Sequence, residues 1–243
     1  KITNNLSNRN LIINGAMLVA QRGTSRGASG QGSSYATVDR FALQWNHFSV
    51  NATETQTKID NFSDAPAVLG FREFHRITLA SAGTAATNSY IEFKHVIEAQ
   101  DIATSGWDYT SSSSYLTFSF WFRCSTNQTF YATFRSSDGT EQGYTFSFTA
   151  TGNNTWTKVT HSIPGDSNLQ FNNDNGVGLI FYIIPFYGTD YTGSTSLNSW
   201  RAFSSSAYCP DMASTWLTAG ASTFDLTGLQ LEVGDVATDF EHR

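Results

Sequence analysis

The tightest constraint on what this chain can fold into is a row of apolar residues at every second position. Leu116, Phe118, Phe120, Phe122 and Cys124 alternate with Thr117, Ser119, Trp121 and Arg123. Successive side chains of a strand point to opposite faces, so this segment predicts a strand with one face in a core. The period recurs along the chain. Phe41, Leu43, Trp45 and His47 alternate with Ala42, Gln44, Asn46 and Phe48, and Tyr144, Phe146 and Phe148 alternate with Thr145, Ser147 and Thr149. Residues 71–79 and 90–97 repeat the theme with charges on alternate positions. Residues 177–186 are apolar on both faces, which predicts a central strand covered on both sides. Residues 156–163 stop at Pro164-Gly165, and residues 224–233 form the last strand, with Gly228 marking a bulge.

About ten such strands, separated by turn residues, predict an all-β, antiparallel two-sheet β-sandwich. Its core is expected to contain Phe118, Phe120, Phe122, Phe146, Phe148, Phe181 and Ile183. Only residues 96–104 read as helical, for little more than two turns. No repeat of fixed period is present, which removes propellers and β-solenoids. Residues 1–34 divide into an apolar stretch, 11–20, expected to be a strand, and a Gly/Ser-rich arm; the sandwich then occupies 35–243 in a single domain overall. A compact domain of 243 residues would bury roughly 70–75% of its unfolded surface and needs no disulfide or metal staple.

Composition narrows the function classes. Charged residues make up 14% of the chain and its net charge is −6, which excludes the clustered Lys and Arg of a nucleic-acid footprint. No apolar run approaches the ~20 residues of a membrane helix. The opening residues lack the layout of a signal peptide. Cys124 and Cys209, the only cysteines, are expected to be reduced thiols. Five N-x-S/T sequons start at Asn5, Asn51, Asn61, Asn127 and Asn153, as chance allows in so Asn- and Thr-rich a chain.

No catalytic constellation emerges. The histidines His47, His75, His95, His161 and His242 are scattered, outside any metal-binding spacing, and three of them sit in strands as core or interface residues. There is no nucleophile elbow and no phosphate loop. A carboxylate pair such as Glu73 and Glu92 could face across adjacent strands, the one arrangement a glycosidase would need. Aromatic residues in turn-rich segments stand out instead. Tyr187 and Tyr191 flank Gly188-Thr189-Asp190; Trp107 and Tyr109 precede a serine run; Trp200 and Trp216 lie before the last strand. Such rings either plug the ends of a sandwich or stack on the apolar faces of sugars while Asp, Asn and Gln take the hydroxyls. Tyr187, Asp190, Tyr191, Trp107 and Trp200 are therefore the candidate glycan-binding residues.

The motif Asn10-Leu11-Ile12-Ile13-Asn14-Gly15-Ala16-Met17, followed by Ala20-Gln21-Arg22-Gly23-Thr24-Ser25, resembles the opening of a family of tailed-phage virion proteins, often labelled tail-fibre or structural proteins. Val38-Asp39-Arg40-Phe41, Ile97-Glu98-Ala99-Gln100-Asp101 and Leu116 to Trp121 are similar to its next landmarks. The ending, Leu226-Thr227-Gly228-Leu229-Gln230-Leu231-Glu232-Val233-Gly234 with Ala237 to Arg243, is the most specific match. The resemblance implies a jelly roll like those of carbohydrate-binding modules, with first and last strands paired, and a non-catalytic virion structural or adhesion role. Its partners would be host-surface polysaccharide, other virion proteins and further copies of itself, most simply as a homotrimer, and its location the virion. A free carbohydrate-binding module and a glycan-degrading spike enzyme are the alternatives. Related jelly rolls often hold a structural calcium between acidic residues of the first and last strands. Here Asn14 and Gly15, with Thr227 and Gly228 near Asp225, supply too few carboxylates, so no metal or other cofactor is expected.

The polar faces carry one more signal. Trp121 lies opposite the Phe row, and Phe74, between Arg72 and Arg76, is out of phase with its own strand. Interfaces favour aromatics and Arg. Trp121, Phe74 and Arg123 are thus expected at an oligomer contact or lining a groove beside it, and the arm 23–34 across a neighbour.

Overall fold

The computed structural model describes residues 9–29, 32–46 and 50–243. Along them run β1 (Ser25–Ser29), β2 (Gly32–Ser34), β3 (Phe41–Asn46), β4 (Asn51–Lys58), α1 (Ala65–Val68), β5 (Glu73–Leu79), β6 (Tyr90–Glu98), α2 (Ala99–Ala103), β7 (Tyr115–Cys124), β8 (Thr129–Ser136), β9 (Gln142–Thr149), β10 (Thr157–Pro164), β11 (Val177–Tyr187), β12 (Trp200–Ala202), α3 (Thr215–Thr218) and β13 (Thr223–Val233). The strands form two antiparallel sheets, one ordered β1-β4-β5-β13-β7-β10 and the other β12-β9-β8-β11-β6-β3-β2. From β5 to β13 the chain changes sheet at every connection except β8–β9 and β11–β12. That wrapping makes the sandwich a jelly roll.

The core lies between the sheets and is largely phenylalanine. All seven residues expected there are buried, so the sequence register is right. Phe118 packs edge-on against Phe134 at 5.2 Å and lies 5.0 Å from Phe181 across the sandwich. Burying each such ring is worth roughly 1.5–3 kcal/mol, and the tilted geometries suit the ring quadrupoles. Cys124 and Cys209 are both buried and unpaired.

Three local expectations need correction. The helix expected over 96–104 is only α2; Val96, Ile97 and Glu98 continue β6, because their alternation still matches the pleat. The stretch 11–20 forms no strand. The Gly/Ser-rich segment is no free arm: β1 pairs with β4 at the edge of one sheet and β2 with β3 at the edge of the other. Arg26 anchors it. Its guanidinium lies over the Trp45 ring at 4.4 Å and meets Glu54 at 2.6 Å. Glu54 is fully buried and is also bound by His75 Nε2 at 2.8 Å and by the Thr37 hydroxyl, which donates at 2.6 Å. His47 and Phe48, the expected extension of β3, lie outside the described residues, as does the sequon at Asn5.

The motifs quoted from both ends of the chain meet in space. β13 pairs with β5 only as far as Leu226 opposite His75, and its register with β7 slips between Thr227 and Gln230. Gly228 stands at that bulge with φ 63°. Beyond it, residues 10–15 take over the edge: Leu11 N–H donates to Leu231 O at 2.8 Å, and Leu229 N–H to Gly15 O at 2.9 Å. So the apolar opening segment lies beside the closing strand without being a strand. Asn10 Oδ1 accepts from Leu231 N–H, Glu241 N–H donates to Gln230 Oε1, and Asn14 N–H donates to Arg243 O. Asn14, at φ 62°, spends its side chain on Val19 and Asp39.

Candidate functional site

The outer face of the seven-stranded sheet carries a tyrosine-lined pocket. Along β6, Tyr90, Glu92 and Lys94 share the outward face, opposite Asn46, Gln44 and Ala42 of β3. On the other side, β11 slips register between Ile183 and Phe186, so Ile184 and Pro185 together stand where one residue would face Glu92. Pro185 has no N–H to leave unpaired at that bulge. The slip brings Tyr187 opposite Tyr90, and the Tyr187 hydroxyl donates to the Glu92 carboxylate in a very short hydrogen bond.

The segment after β11 folds back over this face. Gly188 allows the first turn: a Cβ there would stand 2.3 Å from the Ala86 carbonyl. Tyr191 N–H then donates to Gly188 O, and Tyr208 N–H to Tyr191 O. The Tyr208 carbonyl accepts from the hydroxyls of Thr133 and Thr145 and from the Arg201 guanidinium. This anchoring covers Ile180, Tyr182 and Ile184 with Cys209 and Met212, which gives β11 the second buried face that its sequence predicts. What stays open is a pocket of about 320 Å³ lined by Gln44, Tyr90, Glu92, Lys94, Arg135, Tyr182, Tyr187, Tyr191 and Tyr208. Its five tyrosines touch in series. Tyr90 meets Tyr191 at 5.5 Å, Tyr191 meets Tyr187 at 5.6 Å, and Tyr208 lies 5.3 Å from both Tyr187 and Tyr182.

Burial shapes the electrostatics. It pushes Glu92 up to about 7, against the Tyr187 hydrogen bond and the Lys94 charge, which pull the other way. The Tyr187 hydroxyl is raised well above its ordinary value by the same burial and by the Glu92 charge. Lys94 lies 5.8 Å from the Tyr182 ring centre and forms no ion pair among the described residues. Arg135 is paired with Glu141 and rests on the Phe203 ring at 4.4 Å.

Of the candidate glycan-binding residues, Tyr187 and Tyr191 belong to this pocket. Asp190 is exposed in the turn between them and does not line it. Trp107 is only 4% exposed, with Tyr109 and Phe171 against its ring: it plugs the sandwich and has no face free for a ligand. Trp200 lies on the edge strand β12, its ring 5.3 Å from Tyr144 and its N–H on the Pro164 carbonyl. Tyr90, Lys94, Tyr182 and Tyr208 escaped sequence reasoning, and Glu92 was noted only as half of a carboxylate pair with Glu73. Glu73 and Glu92 do not face one another, because β5 and β6 belong to different sheets.

The residues expected at an oligomer contact lie on the outer face of the six-stranded sheet, where the chain covers two of them itself. Phe74 is 2% exposed, packed with Ile59, Ala67, Phe71 and Trp156. Arg123 stacks on Phe74 and Trp156 and pairs with Asp225 at 2.9 Å. Trp121 remains half-buried beside a cleft of about 290 Å³ with Phe71, Lys158 and Phe240. Asp225 also binds Arg76 at 2.6 Å. With Asn14 committed to backbone as well, these residues do not fit the calcium site of related jelly rolls.

No protein-family profile matches this chain. No curated protein matches it in sequence. Solved structures resemble it in strand arrangement. The enzymatically active domain of tailspike protein 4 of bacteriophage CBA120 aligns over 93% of this chain at 10% identity and TM-score 0.44, and the chain spans 22% of that protein. A family 11 carbohydrate-binding module of Clostridium thermocellum aligns over 87% of this chain and 98% of its own, at 10% identity and TM-score 0.37. A family 30 carbohydrate-binding module covers 96% and 91%, at 10% and 0.38. Solved structures similar to this chain thus include carbohydrate-binding modules and a phage tailspike domain.

Proposed function

We propose that this jelly roll is a glycan-binding module whose site is the tyrosine pocket on the seven-stranded sheet. The observation that carries the reading is the series of five touching tyrosines around an open pocket with a few polar groups, Gln44, Glu92 and Lys94, aimed into it. Tyrosine offers an apolar ring to a sugar face and a hydroxyl to its oxygens, and ligand sites combine such surfaces with a small number of fixed polar groups. The test is binding to an array of neutral and acidic polysaccharides. Tyr191→Ala is expected to weaken binding at least tenfold with an unchanged melting temperature, and Trp121→Ala to leave it intact. The reverse pattern would move the site to the cleft beside Trp121.

A second reading concerns where the module works: as a non-catalytic fibre, appendage or capsid-bound component of a tailed-phage virion, assembled as a trimer. It is supported by the resemblance of the motifs at both ends of the chain to tailed-phage virion proteins, motifs that here interlock into one closure of the fold. Solution mass checks it. Three times the 26.7 kDa of one chain supports display as a trimer; a monomer at micromolar concentration favours a stand-alone module.

A further inference from the structure

We propose that the tyrosine pocket selects acidic glycans, with the Lys94 ammonium as the partner of a sugar carboxylate; this deepens, and rests on, the glycan-binding reading above. Lys94, half-buried on β6, forms no ion pair among the described residues. A solvated surface lysine would leave its neighbours polar, but this one is set among aromatic rings, 5.8 Å from Tyr182. Arg135 of β8 adds a second cation at the rim, already matched by Glu141. The single carboxylate lining the pocket is Glu92, and the Tyr187 hydroxyl is bound to it.

Glu92 decides the balance. The groups around it come from every neighbouring element: Gln44 from β3, Tyr90 and Lys94 from its own strand, Tyr182 and Tyr187 from β11, Tyr191 and Tyr208 from the overlying segment, and Arg135 from β8. Two of these are cations, Lys94 and Arg135, and none is a carboxylate. Burial keeps Glu92 protonated up to about pH 7. Below that the pocket holds an unmatched positive charge, half-buried beside the Tyr182 ring, where a charge-assisted hydrogen bond to an anion is stronger than on open surface. A neutral sugar covering Lys94 would take water from the ammonium without matching its charge, a cost that discriminates against it.

The experiment sets uronic-acid polysaccharides (polygalacturonate, alginate, hyaluronan and xanthan) beside their carboxyl-reduced forms, at pH 5.5 and 8.5. At least one acidic polymer is expected to bind, and its reduced form to bind tenfold to a hundredfold more weakly, the range of one charge-assisted hydrogen bond. Lys94→Gln should lose the same factor and Lys94→Arg should keep most of it, both at the wild-type melting temperature. Binding should weaken at pH 8.5, and Glu92→Gln should remove that weakening. Equal binding of acidic and reduced forms, or binding unmoved by Lys94→Gln, overturns the acidic-glycan proposal and leaves glycan binding standing. If neither kind of polymer binds, and neither does any neutral glycan of the array, both readings fall.

Discussion

Leu229 donates its amide hydrogen to the Gly15 carbonyl at 2.9 Å, and a Cβ on residue 15 would stand 2.0 Å from the Leu229 carbonyl oxygen. The obstacle is backbone, not the end of a flexible side chain, so the two segments would have to part. Gly15→Ala is expected to destabilise the fold by about 2–4 kcal/mol, within the range of severe core substitutions. At this chain length that lowers the melting temperature by roughly 4–16 °C. Calorimetry checks it; an unchanged transition would mean that the opening segment contributes nothing to stability.

Arg26 holds the edge of the sandwich through a carboxylate that has no exposure of its own. Arg26→Ala leaves Glu54 with only His75 and Thr37, and removing one partner of a buried pair costs about 3–5 kcal/mol. Limited proteolysis is expected to show faster cleavage within 24–34 in the variant. Arg26→Lys, which cannot lie flat on Trp45, should fall between the two.

Two buried groups tie stability to pH in opposite directions. Glu92 is held at about 7, above its ordinary 4.5. Between those values the folded protein keeps a proton that the unfolded chain has lost, so stability falls as pH rises, by about 3 kcal/mol in all. His95, between Phe41 and Phe181, is pushed down by burial to about 3 from 6.5. There the unfolded chain takes up a proton that the folded protein refuses, so stability falls as pH drops below 6.5. Thermal melts from pH 3 to 9 are therefore expected to peak near the middle of that range. Glu92→Gln should flatten the alkaline side and His95→Phe the acid side; unchanged profiles would show that these groups are not the source.

Phe74 and Trp121 separate self-packing from assembly. Phe74→Ala opens a cavity beneath Trp156 and between two guanidinium groups, and is expected to cost about 3–5 kcal/mol. Trp121→Ala, at a half-buried site, should cost less. Denaturant titration checks both. A drop in solution mass for Trp121→Ala alone would assign that ring to a contact between copies.

The sequence made the strands legible because a half-buried strand must alternate, and the Phe118 to Phe122 row has no other reading. Gly228 announced its bulge for an equally local reason. The site was only half legible. Tyr187 and Tyr191 stood out as aromatics around a glycine turn. Tyr90, Glu92 and Lys94 read as the solvent face of an ordinary strand, since nothing local says that residues 188–222 will fold over that face and dry it. Trp107 shows the converse: turn-rich surroundings suggest exposure, yet the open ends of a sandwich also need filling. Tyr90, Glu92 and Lys94 at alternate positions, paired with a strand apolar on both faces, were the usable clue.

The bonding of Asn10 to the Glu241 backbone has a mechanical corollary. Both ends of the folded unit are fastened at β13, whereas the tyrosine pocket opens from the other sheet. Traction applied through residues 9 and 243 would load that fastening first, and strain would reach the outer face of the seven-stranded sheet only after it had torn. If that face binds glycan as proposed, its geometry would be spared while the module is pulled by these two points.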